Sequence, residues 1–267
     1  MFRIALCMTA TCALGAAVLG GVFIWTDRYQ EAARTTSERQ AVTQMLGAEA
    51  SAPVIQIHQY LDAAHQHVIY RASDKGIVFD LDGKLIQQGN GSASAEVPKN
   101  WKKLGRIFVV MKDGAPAGFV TEGETQGYKN KIRFFVAIDS SFEVAGVRVV
   151  EHEEDPGLGA EVATPWFQSQ FVGRNVTALQ NADVTRDPMP EDWSAALRER
   201  DRSEPTAWRS RYMNLLSREG GKPIYAVTGA TISSRALTNG VRVTAHHFEK
   251  RWALLSPYFG GRNEHAD

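Results

Sequence analysis

The chain has 267 residues, 43% of them apolar and 22% charged, a globular balance with length enough for one or two domains. Thirty basic and thirty acidic residues cancel, which argues against a nucleic-acid binder, whose footprint is a basic excess. The two cysteines, Cys7 and Cys12, both lie near the N-terminus, so the rest of the chain excludes cysteine-held zinc, iron–sulfur centres and internal disulfides.

Ile4 to Trp25 carries no charged residue. At about 1.5 Å per residue this run spans roughly 33 Å of helix, one bilayer core. Trp25 stands where an interfacial aromatic belongs, and Arg3 before the run orients the N-terminus toward the cytoplasm. A cleaved signal peptide would have a shorter apolar core and a small-residue cleavage site, which Trp25 to Arg28 does not offer. Residues 1–26 therefore read as one transmembrane anchor, with the main domain outside the cytoplasmic membrane. Asp27 to Leu46 lacks Gly and Pro and reads as a continuing helix that stops at Gly47. His58 to His67 reads as a second short helix or irregular cover. Its three histidines invite a metal reading, but no acidic or cysteine set completes it, and surface histidines are the simpler account.

Strand signals then dominate. Ile77 to Asp80 and Lys84 to Ile86 form a hairpin across Asp82-Gly83. Arg106 to Met111 and Ala117 to Thr121 form another across Lys112 to Gly114. Lys131 to Ile138 and Val144 to Val150 form a third across Asp139 to Glu143. Sequential hairpins predict an antiparallel sheet. Gly123 to Tyr128 reads as a Gly-rich loop. Glu151 to Asp155 is an acidic run, open to a metal reading or to that of a solvated rim. Pro156 to Gly159 forces a turn with Leu158 at its tip. Trp166, Phe167 and Phe171 supply core anchors on a helical segment.

Thr185 to Gly221 changes in composition: seven Arg are matched by seven acidic residues between Arg186 and Glu219, which marks a solvated helical excursion. Trp193 and Trp208 give it one docking face, either for the domain itself or for a partner. The last element runs from Ser233 to about Leu255. Leu237, Val241, Ala245, Phe248, Trp252 and Leu255 form its buried stripe, and Ser256-Pro257 ends it. Residues 260–267 form a polar tail. The predicted class is α+β, an antiparallel sheet with flanking helices, preceded by one N-terminal transmembrane helix. The predicted divisions are 1–26, a membrane-proximal region 27–104, and a domain 105–259 that contains the charged segment 185–221.

Thr228, Thr231, Ser233 and Ser234 cluster at the start of the last helix. Hydroxyls there cap helices routinely. The same place also suits a phosphate, because a helix start concentrates unpaired N–H groups and partial positive charge. A serine nucleophile is disfavoured, since the G-x-S-x-G elbow is absent.

Val227 to Leu237 resembles the Ser/Thr-Gly-Ala-Thr flavinylation motif of extracytoplasmic FMN-binding domains. Gly127-Tyr128, Glu151-His152 and Pro156 to Gly159 stand upstream in the order of the G subunit of the Rnf electron-transport complex. The resemblance covers residues 105–172 and 224–255. It implies FMN attached covalently to Thr231 through a phosphoester, installed from FAD by a separate magnesium-dependent flavin transferase. Thr228, Gly229, Ala230 and Ser233 would shape the phosphate loop, and Tyr128, Glu151, Leu158 and Gly159 would line the ring. Tyr225 occupies a position where the family has Asp. The resemblance further implies an electron-carrying subunit, incomplete as an enzyme by itself, that works with other membrane subunits of an ion-translocating complex. No metal and no nucleic acid is expected. The related C subunit of the sodium-pumping NADH:quinone reductase shares both motifs and is the first alternative. A membrane-anchored FMN-binding sensory or assembly module is the second.

Overall fold

A computed structural model of the chain describes residues 15, 16, 19–22, 26, 36–72, 75–90, 97–200 and 203–260. Most of the apolar run Ile4 to Trp25 lies outside them, as does all but the first residue of the expected polar tail. Among the described residues no helix is long and apolar enough to cross a membrane. The chain divides after Ala41. In the first part the described residues are helical.

The second part is built on one antiparallel sheet of eight strands in the order β4-β3-β2-β1-β5-β6-β7-β8. The strands are β1 (Val54–Asp62), β2 (His67–Ala72), β3 (Lys75–Asp80), β4 (Leu85–Asn90), β5 (Trp101–Lys112), β6 (Ala115–Gln126), β7 (Lys131–Asp139) and β8 (Val144–Glu151). The three expected hairpins are present as β3–β4, β5–β6 and β7–β8. The β5–β6 turn takes positive φ at Asp113 and at Gly114, the backbone a tight right-twisted hairpin needs.

Two expectations fail in the sheet. His58 to His67 is neither helix nor cover: it is the end of β1, the turn and the first residue of β2, and β1 pairs with β5 in the middle of the sheet. The strand period is masked because Gln59 holds a core-facing position, buried where its Oε1 accepts from Arg251 Nη1 at 2.9 Å. Gly123 to Gln126 is also not a loop, because β6 continues through it. The sheet consequently runs without a break across residue 104, where the sequence suggested a division.

The two faces of the sheet are covered differently. Val42, Met45 and Leu46 pack with Phe108, Val110, Val120 and Phe135 on one face. The other face carries the larger core, with Ile57, Ile107, Phe119, Phe134 and Val136. The long helix covers this core. It spans Thr231–Phe259, two residues longer at its start than expected, and it carries Pro257 within its final turn rather than stopping there. All six residues of its expected stripe are buried. Each is worth roughly 1.5–3 kcal/mol when it is a large apolar side chain. Trp252 and Phe248 clasp Phe119, with ring centroids 4.5 and 5.0 Å apart. Near its N-terminal end the helix approaches β6 closely. A Cβ on Gly123 of β6 would come within 2.5 Å of Thr244 Oγ1 on the helix, and one on Gly240 of the helix within 2.9 Å of Thr125 Cβ on β6. Only glycine at both positions allows that approach.

The remaining helices are short: α1 (Pro165–Gln168), α2 (Val176–Leu179), α3 (Glu191–Glu199), α4 (Pro205–Arg211) and α5 (Met213–Glu219), with the long helix as α6. α3 to α5 form the charged segment. Its ends are pinned side by side by a parallel pair, β9 (Val184–Thr185) and β10 (Ile224–Tyr225). Trp193 and Trp208 are both buried, packed with Val172, Leu216 and Tyr225, so their docking face turns toward the domain itself. Arg174 locks the return of this segment. Its buried guanidinium donates to the carbonyls of Gln170, Glu219, Gly220 and Lys222 at 2.6–3.1 Å.

Candidate functional site

A cleft of about 680 Å³ opens at the start of α6. Three segments build it. The first is Ala226 to Ser233, the loop from β10 into α6. The second is Glu154 to Gly159, and the third is the β6–β7 turn at Tyr128. Arg186, just after β9, adds a guanidinium to the rim.

The loop into α6 is held by its own side chains. Gly229 takes φ +79°, and the Ala230 N–H donates to the Val227 carbonyl at 3.0 Å, closing a tight turn. Ser234 latches this turn from inside. Its buried hydroxyl accepts the Val227 N–H at 3.0 Å and donates to the Ala230 carbonyl at 2.9 Å. The N-cap position is Ala230, and no side chain caps the helix. The hydroxyls clustered here are thus not spent on capping: Ser234 ties the loop, Ser233 turns to Glu154, and Thr231 stands half-buried at the first helical position, lining the cleft. The N–H groups of this first turn face the space that an anion would fill.

Glu154 is the site residue that the sequence did not single out. It is 5% exposed and accepts both the Ser233 hydroxyl and the Lys129 N–H, the latter at 3.0 Å. Burial pushes its carboxyl up. The Ser233 hydroxyl and the backbone N–H groups of Lys129, Tyr128 and Asn130 outweigh that and hold it below the ordinary glutamate value. The carboxylate sits between two glycines with no room for a side chain. A Cβ on Gly159 would stand 2.6 Å from Glu154 Oε2, and one on Gly127 would collide with Oε1. Those glycines were the available signal, flanking an acidic run that otherwise reads as a solvated rim. Next to it, Asp155 pairs with Lys129 and raises the lysine pKa through that hydrogen bond.

Leu158 is 48% exposed, and its Cδ2 would stand 3.0 Å from a Cβ on Gly229. The Pro156 to Gly159 turn thus leans on the Thr228-Gly229 turn. Tyr128 is 64% exposed on the opposite rim, so the cleft offers an apolar tip and an aromatic ring to whatever enters it. Eight of the nine residues predicted for the site converge here: Tyr128, Leu158, Gly159, Thr228, Gly229, Ala230, Thr231 and Ser233. Glu151 does not. It is the last residue of β8, with its exposed side chain bound to Arg133. Tyr225 also points away, its hydroxyl directed at buried Glu219 at 3.4 Å and its backbone held by the Gln170 amide.

The cleft volume lies within the ~300–1,000 Å³ of ordinary cofactor pockets. An uncapped helix start beside a hydroxyl suits a phosphate ester, and the Leu158 and Tyr128 walls suit a flat ring, so the residues present fit a flavin mononucleotide.

Comparison with known proteins bears on the same region. Residues 127–246 match the family of FMN-binding domains. The chain is 24% identical over 187 residues to the G subunit of the Na(+)-translocating ferredoxin:NAD(+) oxidoreductase complex of Acetobacterium woodii, covering 70% of this chain and 72% of that one. It is 28% identical over 165 residues to the G subunit of the ion-translocating oxidoreductase complex of Haemophilus influenzae, covering 61% of this chain and 66% of that one. The crystal structure of Shewanella oneidensis NqrC superposes with a TM-score of 0.50 at 16% identity, over 84% of this chain and 99% of that one. This last likeness is one of fold: the α+β arrangement of an antiparallel sheet with flanking helices.

Proposed function

We propose, for a chain that carries an FMN-binding domain over residues 127–246 and is homologous to G subunits of ion-translocating oxidoreductases, the role of electron-carrying subunit in a membrane-bound complex of Rnf type. Its FMN is held covalently, by a phosphoester to Thr231. When bound, FMN accepts electrons and passes them on. The protein's part is to tether, orient and shield it. The subunit has no complete activity alone and depends on the other membrane subunits for donor and acceptor.

The observation that carries this reading is the start of α6. A 29-residue helix begins without a side-chain cap, on the floor of a cleft, with the Thr231 hydroxyl at its first position. Esterification by a flavin transferase forms an Oγ–phosphorus bond at Thr231 and breaks the pyrophosphate of FAD, with AMP leaving. The ester phosphate then lies where backbone N–H groups and the helix dipole stabilise it. Gly229 and the Ser234 latch fix the loop. Leu158, which rests on Gly229, would cover the ring, with Tyr128 beside it. The Ile4 to Trp25 run serves as the single membrane anchor, N-terminus in the cytoplasm and FMN domain outside.

The test is expression with an active flavin transferase, followed by a denaturing gel viewed for flavin fluorescence. Wild type and Thr228→Ala should fluoresce and Thr231→Ala should be dark. A dark wild-type band, with the transferase active on another acceptor, would overturn the covalent reading.

A further inference from the structure

Glu154 stands where the three segments of the cleft meet. It belongs to the segment that leads into Pro156 to Gly159. One carboxylate oxygen accepts the Lys129 N–H of the β6–β7 turn, and the other accepts the Ser233 hydroxyl of the first turn of α6. Gly127 and Gly159 leave it no freedom, because a side chain at either position would collide with it. The carboxylate is nearly buried, yet it lines the cleft. Among the described residues it forms no ion pair. The Lys129 ammonium bonds Asp155 and feels the Glu154 charge, and Arg186 lines the same cleft, but the groups bonded to the Glu154 carboxylate are neutral hydroxyl and amide donors. A buried carboxylate with only neutral donors is a costly arrangement, and the donors offset that cost only by holding it ionised in one place.

We propose that Glu154 is a fixed negative charge that lowers the reduction potential of the flavin in this cleft, while its two hydrogen bonds keep the ring loop registered on the tether helix. The proposal rests on the FMN reading above. Full reduction of FMN takes two electrons and one proton to give FMNH⁻, so a negative charge appears on the ring. A carboxylate facing the same cleft opposes that charge. Glu154 is a positioning and tuning residue. It gives no proton to the ring and forms no bond with it.

Charge and stitching can be separated. Glu154→Gln removes the charge but keeps the shape: its carbonyl accepts from Lys129 N–H and its amide donates to Ser233 Oγ. Glu153→Gln removes an exposed neighbouring charge that does not line the cleft and keeps that of Glu154. Glu154→Asp keeps the charge and shortens the reach. The experiment is an anaerobic spectroelectrochemical titration of the full-length, flavin-loaded protein, wild type and the three variants. Glu154→Gln should raise the ratio of reduced to oxidised flavin at a fixed potential on the order of tenfold, about 30 mV for a two-electron couple. Glu153→Gln and Glu154→Asp should stay within about twofold of wild type. An unchanged potential in folded Glu154→Gln, or a tenfold shift in either charge-retaining variant, overturns the proposal. Should Glu154→Gln not fold, Glu154→Ala, which also removes the charge, is titrated in its place against the same limits. A wild type without flavin is a different failure, visible in its absorption spectrum before any titration. That outcome overturns the FMN reading and this inference with it, whereas a loaded wild type with an indifferent Glu154 overturns the inference alone.

Discussion

Ser234→Ala should loosen the loop that presents Thr231 without touching the cleft surface. Ser234 is fully buried, so no water replaces its hydroxyl. The change affects its two partners unequally. The Ala230 carbonyl keeps the Ser234 N–H at 3.0 Å, its ordinary helical bond. The Val227 N–H, buried and bonded to the Ser234 hydroxyl at 3.0 Å, loses its acceptor. A stranded buried donor costs about 1–3 kcal/mol, whereas a carbonyl that retains one partner costs little. The expected loss is therefore about 1–3 kcal/mol of unfolding free energy, read from urea denaturation with an unchanged slope. For a domain of this size each kcal/mol corresponds to about 2–4 °C in Tm. Thr238→Val is the control, because it replaces Thr238 Oγ1, buried in the same helix without a partner, by a methyl and strands nothing. A loss below about 0.5 kcal/mol in Ser234→Ala, or an equal loss in both variants, would refute the latch.

The other expectations concern the close approaches and charges around the cleft. Gly123→Ala should cost about 1–3 kcal/mol in the same denaturation assay, because the new Cβ meets Thr244 Oγ1 of α6 at 2.5 Å and the Phe134 ring of β7 at 2.6 Å, so α6 must move away from β6. Arg174→Met should cost at least about 2 kcal/mol by taking the donor from the carbonyls of Gln170, Gly220 and Lys222, while that of Glu219 keeps the Lys222 N–H, and limited proteolysis should then cut within 185–221 before the rest of the domain. Glu154 should contribute a pH-dependent part of stability. Its folded pKa is depressed, so the contribution is present above the unfolded glutamate pKa of 4.5 and is lost as pH falls through the lower folded value. The stability difference between wild type and Glu154→Gln should hold steady from pH 6 to 8 and shrink below about pH 4.5 in acid denaturation series. A difference that grows on acidification would contradict the donor set assigned to the carboxylate.

The hairpins and α6 were legible because their signals are local. Asp82-Gly83 and Asp113-Gly114 make turns, and the stripe from Leu237 to Leu255 is periodic along the helix. β1 was hidden because its alternation includes Gln59, whose burial depends on Arg251, 192 residues away in sequence. The C-terminal part of β6 was hidden by Gly123 and Gly127, which read as a loop. Both are glycines because a ring and a carboxylate occupy the space of their side chains. In the cleft, the Thr228 to Ser233 loop and the Leu158 turn could be read from motif and turn chemistry. Glu154 could not be separated from Glu151 and Glu153 by type. Only strand geometry does that: β8 ends at Glu151, and the chain then turns Glu154 inward. The tryptophans of 185–221 left two docking partners open, and the parallel β9–β10 pair brings both ends of the segment back to one place, folding it onto its own domain.

The central claim is a flavin ester on one named hydroxyl. Mass spectrometry of the tryptic peptide that ends at Arg235, from protein matured with an active flavin transferase, tests it most directly. That peptide holds Thr228, Thr231, Ser233 and Ser234 together, so fragmentation can assign the group among them. The account predicts the mass of FMN less one water, located on Thr231. The same mass on Thr228 or Ser233, or an unmodified peptide from protein whose transferase modifies a control acceptor, would contradict it.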